Sequence, residues 1–158
     1  DQGYRLAASY GKDWHRPQKK DILFGCTYLG IDGEVNEENA LHAIKSGRMT
    51  VSVGAEFSFA VLQNHAVYHI GETLSNGAAR FDFNCNFDTR KKYCGNKNIE
   101  YQAIRIVTNG NETVCEADKN TKRIEIVLQK KHWYRAELWG EIDGAEQPLA
   151  ITSPVYTR

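Results

Sequence analysis

Two side chains near the start of the sequence could do chemistry together. In "YGKDWHRP", residues 10–17, a carboxylate and an imidazole stand one residue apart, at Asp13 and His15. That mixture of oxygen and nitrogen donors suits zinc, manganese or iron in a hydrolytic site. Two ligands cannot close such a site, because zinc takes about four and catalytic centres draw at least three of them from protein. The plain alternative is a solvated loop. Of the other histidines, His42, His65, His69 and His132, only His65 and His69 lie close in sequence. On a strand they point to one side but stand about 13 Å apart, too far to share an ion. A helix would bring them together, yet "VLQNHAVYHIGE" is too rich in β-branched and turn residues for one.

A second constellation is "HWYRAELWGEI". On a strand, Trp133 and Trp139 share a face with Arg135 and Glu137. Trp133, Arg135 and Trp139 could form a surface that holds a sugar ring or a protein. Packing between sheets is the plainer reading for two tryptophans on one strand. The charged pair among them points instead to a partly exposed surface or a junction with another domain. Other chemistries find no support. "GIDG" and "SVGA" are not followed by helices in the register of a phosphate cradle, no G-x-S-x-G supplies a nucleophile, and Ser153 before Pro154 has no evident base. Cys26, Cys85, Cys94 and Cys115 contain no C-x-x-C pair, which argues against structural zinc. Cys85 and Cys94 flank "NFDTRKKY" and could face each other across a hairpin, a geometry that permits a disulfide without requiring one.

The elements that must position these residues are mostly strands. At 158 residues the chain is large enough for one continuous core. Twenty basic and twenty acidic residues cancel, so neither nucleic acid nor an anionic membrane surface is an expected partner. No run approaches the ~18 apolar residues of a membrane span. One stretch predicts a helix, near residues 37–46 in "VNEENALHAIKSGRM": Asn36 caps it, Glu37 and Glu38 suit its positive end, Gly47 closes it, and Ala40, Leu41 and Ile44 form its apolar face. Elsewhere "ILFGCTYLGI", "MTVSVGAEFSFAVL" with a bend at Gly54, "ARFDFNCNF", "YQAIRIVTNGNETVCEA" turning at Asn109-Gly110, "RIEIVLQKKHWYRAELWGEI" and "LAITSPVYTR" read as strands, as does "YRLAAS". Seven to nine short strands with one substantial α-helix predict a mainly β protein, an antiparallel β-sandwich.

Read in order, these segments resemble a known family. "ASYGKDWHRP" is similar to the last metal-ligand motif, G-x-D-x-H, of PHP-type (polymerase and histidinol phosphatase) metal-dependent phosphoesterases, matched by Gly11, Asp13 and His15. "FGCTYLGID", "AIKSGRMTVSVGAEF", "IRIVTNG", "HWYRAELWG" and "AITSPVYTR" resemble, in sequence, the C-terminal extension of one branch of that family. The resemblance implies that residues 1–20 are the end of a metal-binding barrel and residues 21–158 a C-terminal β-sandwich domain. It further implies that Asp13 and His15 help to hold divalent metal ions that lower the pKa of water for attack on a phosphoester. The family's upstream H-x-H, glutamate and further histidines have no counterpart here. This chain by itself is therefore expected to hold no metal and to be inactive, with the upstream barrel as its partner and self-association as a further expectation. The alternative is a carbohydrate- or protein-binding sandwich module.

Overall fold

The computed structural model describes residues 5–11, 25–89 and 97–158. Two sheets face each other across one core, as the alternating patterns predict. The larger contains β1 (Cys26–Leu29), β2 (Met49–Ser52), β5 (Thr73–Leu74), β7 (Ile99–Thr108), β8 (Glu112–Asp118), β10 (Trp133–Ile142), β11 (Ala145–Thr152) and β12 (Val155–Thr157). Its strands run in the order β1-β2-β11-β10-β7-β8, and β12 continues the line of β11 along β10 after Ser153-Pro154. All its pairs are antiparallel except the two-residue contact of β12 with β5. The smaller sheet is β4 (Ala66–His69), β3 (Glu56–Gln63), β6 (Gly77–Asn86) and β9 (Arg123–Leu128), in that order and antiparallel throughout. The described residues thus form twelve strands rather than seven to nine, because several continuous apolar runs are interrupted by turns.

Period-two patterning decides which side chains meet. β3 sends Phe57, Phe59 and Val61 inward, β6 sends Phe81 and Phe83, and β7 and β10 answer from the other sheet with Ile104, Ile106, Tyr134, Ala136 and Leu138. Leu74, Ala150 and Val155 complete the same contiguous cluster. The Phe59 and Phe81 rings pack in a tilted arrangement with centroids 5.1 Å apart, within the range aromatic pairs favour. Gly54 does lie in a bend, between β2 in one sheet and β3 in the other. A side chain there would run into the Tyr101 hydroxyl, and the Gly54 carbonyl accepts from Tyr28 Oη at 3.2 Å.

Turn chemistry sets the registers. Asn64 and His65 both have positive φ, 51° and 64°, which makes a two-residue turn between β3 and β4. His65 is therefore a turn residue and His69 the end of a strand, as the non-helical reading of that segment expected. Asp143 and Gly144 make the equivalent turn between β10 and β11. The Asn109-Gly110 hairpin is one residue longer than a two-residue turn: Asn109–Asn111 form a single 3-10 turn, with positive φ at Gly110 and Asn111.

The helix, α1, spans Glu37–Lys45, and Asn36 Oδ1 accepts from the Asn39 amide at 2.9 Å. Its end is a Schellman motif: Gly47, at φ 69°, donates to the Ile44 carbonyl and Arg48 donates to that of Ala43. The expected apolar face needs correction. Ala43 is the buried residue, while Leu41 and Ile44 remain 47 % and 46 % exposed. The helix turns its small residues toward the sandwich, because only small side chains allow the close approach at its C-terminal turn, where the Ser46 carbonyl leaves no room for a side chain on Gly71.

Candidate functional site

The side chains singled out on β10 lie on the outward face of the larger sheet. Register places Glu137 opposite Ile151 on one side and Arg105 on the other, and extends that row through Val51 to Thr27 and through Arg105 to Glu116. Cross-strand partners share a face, so this row crosses the sheet on the side away from the core. Trp133, paired with Tyr156, and Tyr156, paired with Thr73, form a second such row.

Glu137 is 5 % exposed although it points outward. Its Oε1 accepts from Arg135 Nε at 2.8 Å and Nη2 at 2.6 Å, and its Oε2 from Trp139 Nε1 at 2.7 Å. A buried carboxylate needs this pairing, since an unmatched charge at that depth costs several kcal/mol. Arg135 also reaches Asn111 Oδ1 at 3.2 Å and lies 5.3 Å from the centroid of the Trp133 ring. The Arg105 guanidinium covers one face of Trp139 at 4.0 Å. Hydrogen bonds and charge from Glu116 and Glu146 push the Arg105 pKa above its ordinary value against the burial that would lower it. The two tryptophans are thus placed on one face, as expected, but each is tied to its own arginine rather than forming a shared flat platform.

Across this face runs an extended segment that sequence reading took for a strand. Residues 5–11 make no strand pairing. Their backbone is held instead by hydroxyl groups. Tyr156 Oη accepts from the Leu6 amide and donates to the Leu6 carbonyl, both at 3.1 Å; Ser153 Oγ accepts from the Ala8 amide at 2.9 Å; and Thr27 Oγ1 accepts from the Tyr10 amide at 2.9 Å. The alternation at 6, 8 and 10 is that of a strand edge, with three side chains from β1, β12 and the Ser153-Pro154 break in place of a neighbouring backbone. Arg5 bonds the Thr73 hydroxyl and stacks 4.8 Å from the Tyr156 centroid. The Tyr10 ring packs so closely on Gly25 that a side chain there would overlap it. The physical reason that residues 5–9 do not pair as a strand is that both edges of the neighbouring β11 and β12 are already occupied, by β10 and by β2 or β5.

Two concavities flank this strap. One, of about 420 Å³, lies between Leu6–Ala8 and Asn111, Trp133 and Arg135, with Ile151 in its lining. The other, of about 530 Å³, lies between Arg5–Ala7 and the last turn of α1. Comparison of the chain with protein-family models, with curated proteins and with solved structures finds no match.

Asp13 and His15 lie outside the described residues, as does the whole of residues 12–24. Among the described residues no group of three or more His, Cys, Asp and Glu side chains could hold a metal ion. Cys94 also lies outside them, and Cys85 is a free thiol whose pKa burial pushes up to about 11. Sequence reasoning missed Thr27, Ser153 and Tyr156 as a group. They belong to two separate motifs, and nothing in sequence spacing says that residues more than a hundred positions apart align beneath one segment.

Proposed function

We propose that this chain is the accessory β-sandwich part of a PHP-type metal-dependent phosphoesterase, inactive alone, whose sandwich anchors the polypeptide leading into Asp13 and His15. The observation that carries the reading is the hydroxyl row under residues 6–10. Thr27 comes from the segment "CTY" and Ser153 and Tyr156 from "ITSPVY", two of the segments on which the resemblance rests. All three bond the backbone immediately before Gly11, the first residue of the G-x-D-x-H pattern. The other resembling segments fall beside them. "GRMTVS" is the Schellman end of α1 and β2, "TNG" the β7–β8 turn, and "YRAE" the first half of β10. Hydroxyl groups at those points hold the strap that leads to Gly11.

The test uses the full reading frame that encodes this chain. Its product should hydrolyse a generic phosphomonoester in the presence of a divalent metal, and Asp13→Ala or His15→Ala should lower that rate by a factor of about 100 or more while the sandwich stays folded. A full-length protein that is inactive with every common divalent metal, or whose rate ignores both substitutions, would refute the proposal.

The 420 Å³ groove favours a second reading, a binding module that grips an extended sugar or peptide beside Arg135. Its lining mixes apolar side chains such as Leu6, Trp133 and Ile151 with Arg135 and Asn111, which hydrogen-bond each other, as small ligand sites do. Saturable glycan or peptide binding by the chain, lost in Arg135→Ala, would favour that reading over the first.

A further inference from the structure

The 530 Å³ concavity on the other side of the strap has an unusual charge balance. Its lining includes Arg5, His42, Lys45 and Arg48 but a single carboxylate, Glu72. Glu72 is already engaged at both oxygens: Oε1 accepts from Arg48 Nη2 at 3.1 Å and Oε2 from the His69 amide at 2.8 Å. Arg48 also pairs with Asp32, and this pairing holds the Asp32 carboxyl below its ordinary pKa. Among the described residues Arg5 and Lys45 have no carboxylate within ion-pair distance. Arg48 Nε is sealed from solvent with no hydrogen-bond acceptor among those residues. That donor is closed off, so a ligand entering the hollow would meet Arg5 and Lys45 rather than Arg48 Nε.

The cations here have a plainer role to set against this, since Lys45 and Arg48 stand at the negative end of α1. That end is largely quenched. The carbonyls of His42, Ala43 and Ile44 accept from Ser46, Arg48 and Gly47 within the Schellman turn, so the last turn does not need two further cations.

We propose that this concavity binds the phosphate group of a small phosphorylated molecule, with Lys45 and Arg5 as the charges that recognise it and the Ser153–Tyr156 wall beside the rest of the ligand. A phosphate offers several acceptor oxygens to cations spread around a hollow, and about 530 Å³ leaves room for more than the phosphate itself. The inference concerns binding by this chain alone and does not rest on the phosphoesterase reading.

The experiment titrates the chain with glycerol phosphate and, separately, with inorganic phosphate, following backbone amide shifts of Lys45, Gly47 and Gly71 by NMR at low salt. Saturable shifts are expected with both ligands, tighter for the ester, weakening about tenfold in Lys45→Ala, an exposed position whose loss should not disturb packing. Arg5→Gln should weaken binding similarly, and Lys130→Ala should leave it unchanged. Absence of saturation, an affinity unchanged in Lys45→Ala, or an ester that binds no more tightly than inorganic phosphate would overturn the proposal.

Discussion

The two sheets carry the same alternating sequence pattern, yet their outward faces are different environments. On the smaller sheet the polar side chains of neighbouring positions satisfy one another in water. Arg80 bonds Asp82 at 2.8 and 2.9 Å, Arg123 stands 3.5 Å from the same carboxylate, and around them Val67 and Val127 are left 58 % and 73 % exposed. On the larger sheet the corresponding face buries a carboxylate, stacks guanidinium groups on indoles and carries residues 5–11 across it. Alternation distinguishes inside from outside, but it does not distinguish a face that meets water from one that meets the protein's own chain. The second kind is marked by what it buries: the Glu137 side chain is 6 % exposed beneath Arg135 and Trp139, whereas that of Asp82, though paired with Arg80, stays 39 % exposed.

That contrast can be broken most severely at Glu137. Replacing it by glutamine removes the charge that Arg135 and the Trp139 N–H require, and should cost about 2–3 kcal/mol in urea denaturation. This is below the range for a fully sealed pair, because Arg135 keeps 27 % of its side chain in water. A loss under about 0.5 kcal/mol would mean that the outer face of the larger sheet is solvated like its counterpart.

A smaller effect is expected at the strap. Tyr156→Phe and Ser153→Ala each remove one side-chain anchor and should cost about 1 kcal/mol locally. Amide exchange of Leu6 and Ala8 should accelerate while that of Ile104 and Phe81 stays slow. Equal acceleration in strap and core would show that residues 5–11 are part of the cooperative unit and not a docked segment.

The thiol of Cys85, on the smaller sheet, gives a gentler test through pH. Its folded pKa, raised from 9.0 to about 11 by burial, means that the unfolded chain loses this proton first. Its contribution to stability is therefore complete below pH 9 and is lost as pH rises toward 11. Cys85→Ala should flatten the fall in stability over that window, and an unchanged slope would show that the thiol meets water freely.

The smallest change belongs to the exposed ion pairs. Asp82 is held below its ordinary pKa chiefly by its hydrogen bond to Arg80, so its contribution is present at neutral pH and lost as pH falls through that lowered value. Solvent screening keeps it slight, and Asp82→Asn should leave the denaturation midpoint nearly where it was. A midpoint shift as large as that of Glu137→Gln would erase the difference between the two faces.

By itself the sequence determined the class of fold, the helix and most of the core. Hydrophobic periodicity is a local property, and Phe57, Phe59, Phe81, Ile104 and Leu138 declare their faces within a few residues. It also indicated that Trp133, Arg135, Glu137 and Trp139 share one side, because an unbulged strand repeats every two residues. Tertiary structure decided which sheet each strand joined, that Leu41 and Ile44 face outward, and that "YRLAAS" lies on a row of hydroxyls instead of pairing. It alone brought Arg5 and Lys45 to the walls of one concavity and Thr27 into line with Ser153 and Tyr156. Those outcomes depend on which edges other strands had already filled and on contacts between residues far apart in the chain, and a local pattern carries no information about either.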